Sequence, residues 1–184
     1  AQKLADDLAE QLWQYRDDFV AHLVNIDAAL QTCETDEEAR YCLLDMGDNV
    51  GGGSAADGTT LAEALLDEGD TIAFAVPYWT TYQDIADILN AKALHLVCPA
   101  SQSYKITPAQ LDAALQQKPK VFLFNNPNNP TGMVYSKEEV AALAAVLVNY
   151  PDTWIIADDI YHRMVFDGLG YHNLMDSQPS LRDR

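Results

Sequence analysis

Four short apolar runs recur along the later part of the chain: TIAFAV (71–76), ALHLVC (93–98), VFLF (121–124) and WIIA (154–157). Their length and composition read as strands. The segments between them read as helices, and two are marked at their starts. TPAQLDAALQQ opens at Thr107 with Pro108 at the first helical position and Gln110 where a capping box needs it. SKEEVAALAAVLVNY opens at Ser136, with Glu139 three residues on. TTYQDIADILNA (80–91) supplies the third helix. Such alternation predicts βαβ units, hence an α/β fold: three-layer α/β/α with a mostly parallel sheet covered on both faces. In such sheets ligands sit outside the carboxyl ends of the strands. Three of these ends carry unusual residues: Pro77-Tyr78-Trp79, the loop from Asn126 to Gly132, and Asp158-Asp159.

The earlier part of the chain reads differently. Leu4, Leu8, Leu12, Phe19, Leu23 and Ile26 follow helical spacing, predicting one long or two shorter amphipathic helices over 2–31. ETDEEAR (34–40) is a charged break, MGDNVGGGS (46–54) a glycine-rich loop, and Thr59 to Leu66 a further helix. A helical segment over 1–45 and an α/β domain over 46–184 are therefore expected. With 48% hydrophobic and 21% charged residues, the 184-residue chain reads as soluble and globular. Its net charge of −17, from 11 basic and 28 acidic residues, argues against nucleic acid or an anionic membrane surface as partner. The amino terminus lacks the apolar core of a signal peptide, and no run reaches the roughly 20 residues of a membrane span. Cys33, Cys42 and Cys98 are odd in number and widely spaced, which suits a reducing cytoplasm and not zinc. The four histidines form no i,i+4 pair, so no metal is expected.

Gly51, Gly53 and Ala56 have the G-x-G-x-x-A spacing of a dinucleotide fingerprint, but the context does not fit. No clean strand precedes them, and the next strand ends in Val76-Pro77 instead of an acid. What remains is a small-residue loop opening a helix, whose N–H groups suit a phosphate, with a plain tight turn as the alternative. At 158–159 one aspartate is accounted for by capping a following helix, DIYHRMV, with Tyr161 one helical turn on. The other needs a cationic partner, several hydrogen bonds, or a cationic ligand. Trp79 is either core packing or an aromatic plate. NNPNNPTG (125–132) is a stiff loop, because proline lacks an N–H and pushes the residue before it out of helical geometry. A phosphate loop, a plate, an amide-rich loop and a carboxylate around one sheet edge would cradle a flat, phosphorylated, protonatable heterocycle. Pyridoxal phosphate fits that description.

At this point the chain resembles the class I/II aminotransferases among the fold type I pyridoxal-phosphate enzymes. GSAADGTTLAEALLDEGDTIAFAVPYW looks like the family's phosphate-loop helix, LLxxGD turn, strand and P-x-aromatic element. NPNNPTG (126–132) is similar to its N-P-x-N-P-T-G loop, and ADDIYHRMVFDG (157–168) to its D-[DE]-x-Y segment. The resemblance covers about residues 48 to 170 and implies that 46–184 is an incomplete large domain. It implies that Ser54, Ala55 and Ala56 bind the cofactor phosphate and that Trp79 stacks on the pyridine ring. Asn129 and Tyr161 would donate to the phenolic oxygen, and Asp158 would pair with the pyridine nitrogen; apart from the resemblance, Tyr82, three residues past Trp79, is a candidate to support that carboxylate. Asn129–Pro130 becomes a candidate cis peptide, with Val76–Pro77 a second. The Schiff-base lysine is expected beyond Arg184, since Lys3, Lys92, Lys105, Lys118, Lys120 and Lys137 do not match its place. DNVGGGS is also shorter than the family's usual strand before the phosphate loop.

The implied activity is transfer of an amino group between an amino acid and a 2-oxo acid, by a cytoplasmic homodimer. The chain alone would be inactive without its lysine. The alternatives are β-decarboxylation or C–S lysis on the same scaffold, a non-catalytic cofactor-binding sensor domain, or a remnant. The sensor reading would need a basic helix-turn-helix, which the acidic amino-terminal part does not offer.

Overall fold

Parallel strands must be covered on both faces, and the computed structural model shows how this chain does it. It describes residues 2–15, 25–35 and 60–183. Helices α1 (Gln2–Gln14), α2 (Ile26–Thr35) and α3 (Thr60–Leu65) precede the sheet. Then β1 (Thr71–Val76), α4 (Thr81–Ile88), β2 (Lys92–Val97), α5 (Pro108–Leu115), β3 (Val121–Asn125), α6 (Lys137–Leu147) and β4 (Trp154–Asp158) alternate, before the short α7 (Leu174–Ser177). All three pairings are parallel and the strand order is β2-β1-β3-β4. The fold is thus the expected three-layer α/β/α arrangement. Observed boundaries differ from the sequence-based ones by one to a few residues: α2 runs to Thr35, four residues past the expected end and into the expected charged break, and α4 stops at Ile88. There Asn90 takes a left-handed φ of 52° and the Ala91 N–H reaches back to the Ala86 carbonyl at 2.8 Å, closing the helix.

Alternation along each strand divides the core in two. Ile72 and Phe74 of β1 and Val121 and Leu123 of β3 face one side, packed with Ala62, Leu66, Tyr82 and Ala86. Ala73, Phe122 and Phe124 face the other, packed with Leu111 and Leu115 of α5 and Val140, Leu143 and Leu147 of α6. All five residues of β3 are buried, as a central strand of a doubly covered sheet requires. Both expected capping boxes form, Thr107 with Gln110 and Ser136 with Glu139, so α5 and α6 start where their sequences say.

The order β2-β1-β3-β4 makes the gap between β1 and β3 a topological switch point. The chain leaves β1 toward one edge and resumes at β3 toward the other, which opens a crevice at the carboxyl ends. No helix among the described residues is long and apolar enough to cross a membrane.

Phe122 has 0% of its surface exposed. Replacing it by alanine is expected to destabilise the protein by about 3–5 kcal/mol, read as a shift of the urea midpoint of the full-length protein.

Candidate functional site

The loop after β3 is built from carboxamides with assigned partners. The Asn125 side chain donates to the Asp158 carbonyl at 2.9 Å and accepts from the Asn129 N–H at 2.7 Å. Asn126, 0% exposed, donates to the His172 carbonyl at 2.9 Å and accepts from the Tyr135 N–H at 3.1 Å. Asn128 accepts from the Thr131 hydroxyl at 2.7 Å. Burying three amides would be costly without such partners. The loop closes at Gly132, whose φ of +68° suits glycine and whose N–H donates to the Asn128 carbonyl at 2.8 Å. Three X–Pro bonds are cis: Val76–Pro77, Asn126–Pro127 and Asn129–Pro130. The first and third are the two expected from the sequence; nothing in the dipeptide Asn126-Pro127 distinguishes it from its neighbour.

This frame presents Asn129, half-buried, at the mouth. Its Nδ2 donates to the Tyr161 hydroxyl at 3.2 Å, joining the loop after β3 to the segment after β4. Tyr161 gets there by a different route from the one expected. No helix follows Asp159: the His162 N–H bonds the Asp159 carbonyl at 2.9 Å and the Met164 N–H bonds the Tyr161 carbonyl at 2.7 Å, giving successive tight turns. A further turn has positive φ at both Asp167 and Gly168 and ends the excursion, as an Asp-Gly pair favours. Asp158 therefore caps no helix. Its Oδ1 accepts a 3.4 Å bond from the Ile160 N–H across the bend.

The other oxygen of Asp158, Oδ2, accepts a hydrogen bond from the Tyr82 hydroxyl. Burial, and then the Asp158 charge, push the Tyr82 phenol far above its ordinary value, so it stays a donor. Trp79 meets Tyr82 edge-on, ring centroids 5.8 Å apart and planes at 87°. Asp158 is half-buried, and among the described residues no lysine or arginine forms an ion pair with it; Lys105 pairs instead with Glu139 at 2.7 Å. A shielded carboxylate holding neutral donors and no cation is a place for a cationic ligand.

The structure thus brings Trp79, Asn129, Asp158 and Tyr161 to one edge, through Tyr82 on one side and Asn125 on the other. Ser54, Ala55 and Ala56 lie outside the described residues, as do Gly51 and Gly53. From the sequence Asn125, Asn126 and Asn128 read as turn-makers and loop hydrogen bonders; that Asn125 reaches the Asp158 carbonyl and Asn126 the His172 carbonyl is not legible there, because those partners are 33 and 46 positions away. The residues present fit pyridoxal phosphate. Asn129 and Tyr161 can both donate to a phenolate oxygen, Asp158 can face a protonated ring nitrogen, and Trp79 can flank a flat ring.

Asp159 differs from its neighbour. Burial raises its carboxyl above the ordinary aspartate value, and the Asp158 charge adds to this. A hydrogen bond from Tyr171 and the nearby His162 act the other way. A raised native value means that Asp159 contributes stability below the ordinary aspartate value of about 3.9 and loses it as pH rises through the native one. Asp159→Asn is therefore expected to lessen the loss of thermal stability between pH 4 and pH 7, measured by Tm across that range on the full-length protein.

Comparison with known proteins agrees with this geometry. A sequence model of the family "Aminotransferase class I and II" matches residues 48–181. The aspartate/prephenate aminotransferase of Nitrosomonas europaea is 39% identical over 124 residues, 67% of this chain and 31% of its own length. That of Cereibacter sphaeroides is 37% identical over 121 residues, 66% of this chain and 30% of its own length. The crystal structure of the aspartate aminotransferase from Rhizobium meliloti superposes with a TM-score of 0.62 at 35% identity, covering 65% of this chain and 30% of that one. The chain spans about 30% of the length of the curated relatives it matches. Matched over most of its length, and with Asn129, Asp158 and Tyr161 converging on one sheet edge, the chain belongs to the class I and II aminotransferases, a pyridoxal-phosphate-dependent family.

Proposed function

We propose that this chain is the cofactor-holding part of an aminotransferase that moves an amino group between an amino acid and a 2-oxo acid. The observation that carries the reading is the Asp158 carboxylate at the carboxyl end of β4, hydrogen-bonded but with no cation paired to it among the described residues, beside the Asn129–Tyr161 pair. Pyridoxal phosphate, when bound, supplies an electron sink for the pair released when a bond to the substrate α-carbon breaks. The residues divide the work of holding it. Asp158 keeps a proton on the ring nitrogen by placing a negative charge against it. Asn129 and Tyr161 donate to the phenolic oxygen and fix the ring's rotation about its long axis. Trp79 flanks the ring and excludes water from one side. Ser54, Ala55 and Ala56 are assigned to the phosphate, on the strength of the helix start that follows them.

In this reading residues 46–184 are an incomplete large domain, and 1–45 a helical segment before it. The Schiff-base lysine is to be sought in the sequence following Arg184. The working protein is a cytoplasmic homodimer, and aspartate is the amino donor that the names of the relatives favour.

In the full-length protein, Asp158→Ala is expected to lower kcat at least 100-fold while cofactor is still taken up from solution. A loss within about tenfold, or about 1.4 kcal/mol, would overturn the role given to Asp158. With aspartate and a 2-oxo acid supplied together, the products expected are oxaloacetate and the matching amino acid. Alanine and carbon dioxide instead would place the chemistry in β-decarboxylation.

A further inference from the structure

We propose that Tyr171 is a positioning residue for the cofactor ring: it grips Asp159 and His162, the chain neighbours of Asp158 and Tyr161, and so sets where those two site residues point. This rests on the cofactor reading above. Asp158 and Tyr161 sit in a run of tight turns, closed by the His162 N–H on the Asp159 carbonyl at 2.9 Å and the Met164 N–H on the Tyr161 carbonyl at 2.7 Å. A run with so few bonds of its own opens easily unless other parts of the fold hold it.

Tyr171 meets that run twice. Its ring packs against the His162 ring, centroids 5.7 Å apart and planes at 58°, and its hydroxyl donates to the Asp159 carboxyl. The His162 ring is itself tied down, its Nδ1 2.9 Å from the Asp159 carbonyl oxygen. Asp159 and His162 follow directly on Asp158 and Tyr161 in the chain, so a shift of either neighbour swings the site side chain beside it.

The grip has a firm base. His172, the next residue, accepts from the buried Asn126 side chain through its carbonyl at 2.9 Å, so residues 171 and 172 hold the two walls of the site, one each. Asn173 then caps α7, accepting from the Asp176 N–H at 2.7 Å, and Leu174, 3% exposed, enters the core layer that α6 covers. The titratable groups around the Asp159 carboxyl are Asp158, His162, Asp176 and Tyr171 itself. Burial, and then the bond to Asp159, push the Tyr171 phenol far above its ordinary value, so it stays a donor. Charged or neutral, the Asp159 carboxyl keeps an oxygen that accepts from it.

Tyr171→Phe keeps the ring on His162 and removes the hydroxyl, while Asp159→Ala removes the acceptor. Both are compared with wild type as the full-length protein, first without cofactor by hydrogen exchange read by mass spectrometry. They are then loaded with pyridoxal phosphate and followed by visible absorbance across pH. In each variant the peptide covering 159–165 is expected to exchange about fivefold faster, as loss of one hydrogen bond gives, with the β3 peptide unchanged. The double variant is expected to add nothing to either single one, because both cut the same tie. In the loaded protein the phenolic oxygen, less firmly held by Tyr161 and Asn129, becomes more basic. The pH at which the absorbance changes is therefore expected to rise by about half a unit. Faster exchange in the β3 peptide as well, with the absorbance change at its wild-type pH, overturns the proposal, because it marks a loss of stability and nothing more. Unchanged exchange at 159–165 overturns it too. A wild type that takes up no cofactor overturns the cofactor reading instead, and the two failures are told apart because exchange is measured without cofactor.

Discussion

Every pairing in the sheet is parallel, and that single constraint organises the site. Parallel strands end on the same side, so residues 77–79, 126–132 and 158–159, far apart in sequence, emerge along one edge. The connecting helices must pass over the faces, and they supply the two apolar layers that bury β1 and β3. The carboxyl edge is then a border of the sheet where polar side chains can be presented without disturbing the core. The register places Asn125 opposite Asp158, and this pairing seats the loop after β3 against the end of β4.

Much of the fold was legible because local and global signals agree. Two capping boxes and four apolar runs each name their own positions, and the structure has them within a few residues. Of the site, Asp158, Asn129, Tyr161 and Trp79 were legible from the order of motifs and the expectation that ligands lie at strand ends. What failed was the helix after Asp159. DIYHRMV has acceptable helix formers, but Asp158 folds back onto Ile160 and the chain turns within four residues. Local propensity is a weak prior, and here the bond of Tyr161 to Asn129 ties the turn to a partner 32 positions earlier. The clamps on Asn125 and Asn126 were illegible for the same reason, because a carboxamide's partner across the sheet leaves no mark nearby.

Two adjacent aspartates at the end of β4 show how environment, not residue type, divides labour. Asp158 turns toward the mouth, with a phenol on one oxygen and a backbone N–H on the other. Asp159 turns toward Tyr171 and His162, on the segment leading to α7, where burial favours its neutral form. Alternation along an extended chain sends consecutive side chains to opposite sides, so a doubled aspartate serves two surroundings at once.

The loop after β3 also bears on how the protein ages. Asparagine converts to aspartate when the following backbone nitrogen attacks the side-chain amide, ammonia leaves, and water opens the cyclic imide that results. That route needs a hydrogen on the nitrogen, and proline has none. Asn126 and Asn129, the buried anchor of the loop and the donor at its mouth, are each followed by proline. The two carboxamides on which the loop's aim depends are thereby closed to this commonest spontaneous damage, and the sequence that stiffens the loop also preserves its chemistry over the lifetime of the molecule.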